Sequence, residues 1–156
     1  MPEYDIGIAA INRASYWPAL DTLIQLDNPA DWNGVVSTIE VWPYSNIAGL
    51  WVGTFYGAEP RFTRRAHVAL GEALAGAKRT FSGLSLAVQV GDYIGCYFTS
   101  GGLEEDASGG TAVYYQWHHE CGDGEETYSE VSHDVLSLYG SGAPPAGFAH
   151  SFGVIF

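Results

Sequence analysis

Two runs of residues in this chain, and a scatter of aromatics, could do chemistry. The first run is Glu104-Glu105-Asp106. Paired carboxylates can serve as general acid and base in glycoside hydrolysis when they face each other at a set separation. Adjacent residues on a strand point to opposite faces, so neighbours in this run do not face each other. Carboxylate oxygens are also hard ligands, and Glu104 and Asp106 could hold calcium together with nearby loop carbonyls. The spacing of known calcium loops is absent, and the run reads best as a solvated acidic loop. The second set is His118, His119, Cys121 and His133, which are ligand types that suit zinc. Their spacing fits no standard zinc pattern. A Cys–His nucleophile pair would need a third group to orient it, and none is in view. No Gly-rich phosphate loop, Ser-His-Asp arrangement or basic stripe occurs. The sequence therefore predicts a protein that is not an enzyme, with no cofactor beyond the calcium that Glu104 and Asp106 would accept.

The aromatics offer a different chemistry, since planar rings stack on sugar faces. Tyr16, Trp17, Trp32, Trp42, Tyr44, Trp51, Tyr114, Tyr115 and Trp117 are the candidates. Core packing and subunit contacts account for most of them. Trp17, beside a proline, and Trp32, in loop-like sequence, are the two expected to be exposed and to touch a glycan. Arg61, Arg64 and Arg65 form a basic group expected to pair with acidic groups on a neighbouring subunit. Cys96 lies in an apolar strand pattern and Cys121 in a loop, and both are expected to be unpaired thiols.

Behind these groups stands an acidic chain of 156 residues, enough for one domain with a sizeable core. Eighteen acidic residues face six basic ones, giving a net charge of −12, and Lys78 is the sole lysine. That charge opposes binding to nucleic-acid backbones and to anionic membranes. No apolar run is long enough to span a bilayer, and the start, MPEYDIGIAA, lacks the features of a signal peptide. With 47% hydrophobic and 14% aromatic residues, the chain is not disordered.

The elements that must position these residues read as strands. Thr22–Leu26, Gly34–Trp42 and Leu50–Tyr56 alternate with period two and are rich in β-branched and aromatic residues. Arg65–Lys78 has helical spacing of alanine and leucine but is broken by Gly71 and Gly76, so strand followed by loop is favoured. Leu84, Leu86, Val88 and Val90 share a face, Gly91-Asp92 turns, and Tyr93–Phe98 returns as a hairpin partner. Thr111–Trp117 and His133–Tyr139 supply the last strands. The expected fold is all-β, a single antiparallel β-sandwich of jelly-roll type with about eight to ten strands, over residues 1–142. Residues 143–156 read as a Pro/Gly linker and an apolar C-terminal arm carrying Phe148, Phe152, Val154, Ile155 and Phe156. Such an arm either docks on its own domain or augments a neighbour's sheet.

Taken together, several segments resemble a module that recurs in phage, prophage and metagenomic sequences. They include Asp5-Ile6-Gly7 with Ala10–Arg13, then Ser37–Trp42 and Val52–Gly57. The strongest is Thr80–Gly95, continued by Gly102–Gly109 and closed by Leu136–Gly142. The resemblance spans roughly residues 5–142. It implies a β-sandwich virion surface component, either a head decoration protein or a tail- or fibre-associated structural protein. It also implies a homo-oligomer, a trimer first, bound to a capsid or tail protein, and it carries no catalytic residues to transfer. This chain departs from the pattern in its His118–Cys121 loop and its apolar tail. The alternative function is a carbohydrate-binding module of a fibre or surface protein.

Overall fold

The computed structural model describes residues 4–145. The expected arm residues Phe148, Phe152, Val154, Ile155 and Phe156 lie outside the described residues. The described chain is all-β, with fifteen strands and no helix, against the eight to ten expected. The excess comes from short pieces of two or three residues, such as Arg79–Phe81 and Val135–Leu136. In order they are β1 (Asp5–Ile8), β2 (Ser15–Pro18), β3 (Thr22–Gln25), β4 (Gly34–Val41) and β5 (Pro43–Ala58). Then follow β6 (Arg61–Ala73), β7 (Arg79–Phe81), β8 (Leu86–Val88), β9 (Tyr93–Tyr97) and β10 (Ser100–Asp106). The last are β11 (Ala112–Gln116), β12 (Glu125–Thr127), β13 (Ser129–Ser132), β14 (Val135–Leu136) and β15 (Leu138–Ala143).

Two antiparallel sheets face each other. The smaller has the order β1-β15-β4-β7, with β8 also on β4. The larger runs β12-β6-β5-β9-β3-β11-β13, and β10 joins β5, β2 and β14. Between the sheets lies an aliphatic core that includes Ile6, Leu23, Ile39, Val52, Ile94, Val113 and Leu138. This arrangement is consistent with a β-sandwich.

The larger sheet does more than cover this core. Its path begins at β12 and ends at β13, and only Tyr128 separates those two strands in the chain. The segment Glu125–Ser132 therefore pairs with β6 at one end and β11 at the other, closing the ladder into a ring. Alternation along the strands sends every second side chain to the inside of that ring. Ile24, Trp51, Phe55, Phe62, Tyr97, Tyr114 and Tyr128 fill it as a second core, with Cys121 beneath the loop before β12. Phe62 meets the edges of Tyr93, Tyr114 and Tyr128 at centroid distances of 5.3–5.7 Å. Edge-to-face contact is the favourable arrangement for such rings.

Arg65–Lys78 is strand to Ala73 and irregular beyond it, as expected. The hairpin across Gly91-Asp92 does not form. β8 pairs with β4 in the small sheet, whereas β9 pairs with β3 and β5 in the large one. The turn crosses between sheets instead, and its amides and carbonyls bond to Ala30. The expected linker also begins one residue later, because Ala143 is still in β15, paired with Val35.

Candidate functional site

One end of the ring is polar and aromatic. Trp51 on β5 and Tyr97 on β9 are direct cross-strand partners, and their rings stack at 6.1 Å. The Trp51 indole donates from Nε1 to Glu120 Oε2 at 2.8 Å. The Arg64 guanidinium lies 4.8 Å above the same indole and pairs with Asp123 at 2.7 Å. His67 meets the Trp51 ring edge-on at 5.5 Å. Burial and the nearby Arg64 lower the His67 pKa, which favours the neutral imidazole. Burial, with Glu120 and Asp21 close by, pushes the Tyr97 phenol up. Among the described residues, the buried side-chain polar atoms without a partner are Arg64 Nε and Gln116 Oε1. Arg64 comes from β6 and Gln116 reaches Thr127, so both adjoin the closing segment.

The loop from Trp117 to Gly124 covers this end, and Asp21 anchors it. Asp21 is buried, accepting from the Trp17 indole at Oδ2 and from the His118 amide at Oδ1, each at 2.8 Å. Thr22 adds a bond from its hydroxyl to the His119 carbonyl, and the same hydroxyl accepts from the Cys121 amide. His118 and Leu20, on the two sides of this junction, both have positive φ, 51° and 81°. Side chains rarely adopt that conformation, and it turns the chain sharply here. His119 bonds to Glu126 at 2.9 Å. Burial raises the pKa of Glu126, but donors from Gln116, Gly122 and His119 prevail, and the carboxylate sits below its ordinary range.

The residues singled out in the sequence fall elsewhere or into other roles. Glu104 and Asp106 are not in a solvated loop: β10 is flanked by β2, β5 and β14. Glu104 Oε1 accepts the Arg13 amide at 2.5 Å, while Asp106 accepts from the Arg13 guanidinium and the Ala14 amide, each at 3.0 Å. These carboxylates thus bind their own chain, and they hold the segment before β2. Among the described residues no three histidine, cysteine or acidic side chains gather as a metal site. His118, His119, Cys121 and His133 do not converge. His133 reaches the Gly110 carbonyl, and Cys121 is buried under the loop with its thiol pKa raised by burial. Both thiols are free and buried, and burial pushes Cys96 up to about 12.

Two of the three arginines find acidic partners within the chain rather than on a neighbour. The β5–β6 ladder skips Arg65, so it and Arg64 reach separate carboxylates. Arg65 grips buried Asp92 through two bonds of 2.6 and 3.0 Å, and its guanidinium lies 4.4 Å from the Tyr56 ring. Arg61 is exposed. Trp32, expected to be exposed, is only 4% exposed. Its indole donates to the Ala143 carbonyl at 3.2 Å and lies beside Tyr4, both covering it. Even so it lines a pocket of about 340 Å³ with Tyr4, Asp31, Asn33, Val90, Pro144 and Pro145. Trp17 is half-buried against Tyr115 at 5.4 Å. The sequence reading missed Asp21, Asp92 and Asp134, because partners such as His118 and Arg65 are remote in the chain and no local pattern marks them.

Set against protein-family models, curated proteins and solved structures, the chain matches none. No helix among the described residues is long and apolar enough to cross a membrane.

Proposed function

We propose that this chain is a structural subunit rather than an enzyme: a jelly-roll-type component of a phage-like virion surface, in head decoration or tail association. It binds copies of itself, as a trimer, and a larger capsid or tail shell. The observation that carries the reading is the pocket beside the end of β15. Tyr4, Trp32 and Val90 line it, and Val90 is 62% exposed. Asp31, Asn33, Pro144 and Pro145 complete its wall, and the sequence continues from Pro145 towards Phe148, Phe152, Val154, Ile155 and Phe156. An apolar pocket beside the root of an apolar arm suits exchange of that arm between copies, with aromatic and aliphatic side chains as anchors.

Light scattering on the full chain tests the reading. The expected result is a trimer or larger species that falls to monomer when Phe152 and Phe156 are both replaced by serine. Val90→Glu, on the pocket rim, should do the same with the fold intact by circular dichroism. A wild-type monomer, or an oligomer indifferent to both changes, would overturn it.

The alternative, a carbohydrate-binding module, loses buried Trp32 as an exposed platform. It gains support from a different residue, Trp117.

A further inference from the structure

Trp117 is the most exposed of the large apolar side chains among the described residues, at 72%. Its neighbours in the loop, His118, His119 and Glu120, are all exposed and polar. A protein interface of ordinary size buries about 800 Å² on each partner around an apolar centre. One indole ringed by imidazoles and carboxylates does not offer that. It does offer what a sugar needs, a flat apolar face beside groups that bond hydroxyls.

The indole is also held in place. One face stacks on the His118 ring at 4.2 Å and 15°, and the high exposure leaves the other face to solvent. The His118 amide is fixed by buried Asp21, and the next carbonyl by Thr22. The positive φ at His118 and Leu20 costs conformational energy that the surrounding bonds must offset. The turn that presents the tryptophan is thus held by its own chain, through Asp21 and Thr22, with no ligand needed to order it.

We infer that the Trp117–His118 turn is a stacking site for neutral saccharides, with the His118 ring, the second ring nitrogen of His119 and the second carboxylate oxygen of Glu120 as partners for hydroxyl groups. Neutral sugars are specified by charge: Glu120 lies in the loop, Asp21 and Glu126 accept from its amides, and the nearby cation, Arg64, is committed to Asp123. Sialylated or uronic acid glycans would be repelled. A single stacking platform yields weak binding, of the order of millimolar, about −4 kcal/mol. Several copies on one particle would multiply it through effective concentration. The inference does not depend on the assembly reading.

The test is a printed array of plant, bacterial and animal glycans, probed with the full chain biotinylated and displayed on streptavidin to supply avidity. Wild type should bind one or more classes of neutral glycan. Trp117→Ala should lower that signal at least ten-fold at an unchanged unfolding midpoint, and Trp117→Tyr should keep part of it. Blank arrays, binding equal in Trp117→Ala, or preference for acidic glycans would each overturn the site. So would a change of oligomer mass in Trp117→Ala without glycan binding, which would make the indole a contact between copies.

Discussion

Glu105 and Asp134 form the most unusual residue pair in the protein. Both are buried, and they meet where β10 runs beside β14. Burial, and then the hydrogen bond with Glu105, pushes the Asp134 carboxyl up to about 7. An unfolded aspartate titrates near about 4, so between that value and about 7 the folded state binds the extra proton. Its contribution to stability is therefore full at low pH and is lost as pH rises through about 7. Thermal unfolding should show a midpoint that falls between pH 5 and pH 8.5, and Asp134→Asn should flatten that fall. Equal slopes in the two proteins would refute the raised Asp134 carboxyl. None of this is visible in the sequence. Glu105 was legible there only as a member of an acidic run, and Asp134 as a residue beside His133.

At the scale of elements, alternation told which face Leu86 and Val88 occupy, not that Val90, placed with them, is 62% exposed, nor which strand lies beside them. Leu86 and Val88 do point inward together, and Tyr93–Tyr97 is a strand, yet the two segments join different sheets. A glycine and an aspartate look alike in a hairpin turn and in a crossing between sheets. The difference lies in Asp92, whose buried carboxylate is claimed by Arg65, remote in sequence. The closing of the large sheet was equally hidden, because Glu125–Ser132 is short and polar and resembles a loop. Where strands cross the ring wall, glycine makes room. A methyl group on Gly95 would run into the Leu23 carbonyl and lie 2.6 Å from the Phe55 ring. Gly95→Ala should cost about 1–3 kcal/mol through overpacking, read from chemical denaturation. A loss below about 0.5 kcal/mol, the ordinary range for surface changes, would show that Phe55 can move aside.

For the whole molecule, the sequence read the class correctly as all-β with antiparallel sheets, because composition and period-two patterning are global properties. The charge of −12 was legible too, but not its distribution. Five of the six cations contact carboxylates or carbonyls of the same chain: Arg13, Arg64, Arg65, Lys78 and Arg79. What is left over is an acidic surface that repels itself. Salt screens such repulsion over about 10 Å at 0.1 M. The unfolding midpoint should rise by a few degrees between 10 mM and 0.5 M sodium chloride. A midpoint that falls would mean that the ion pairs matter more than the repulsion.

The split strand around Tyr128 has a kinetic consequence. A ring sealed by one short segment has a latch, and the latch can lift without the rest of the molecule coming apart. Tyr128 is held by its amide bond to the Pro60 carbonyl and by its ring among Phe55 and Phe62. When it lifts, Cys121 is the thiol uncovered, while Cys96, between the sheets, stays shut until the whole fold opens. The chain thus carries two clocks. In single-thiol variants, a disulfide reagent should label Cys121 well before Cys96, and the gap between the two rates measures how much more easily the latch opens than the sandwich.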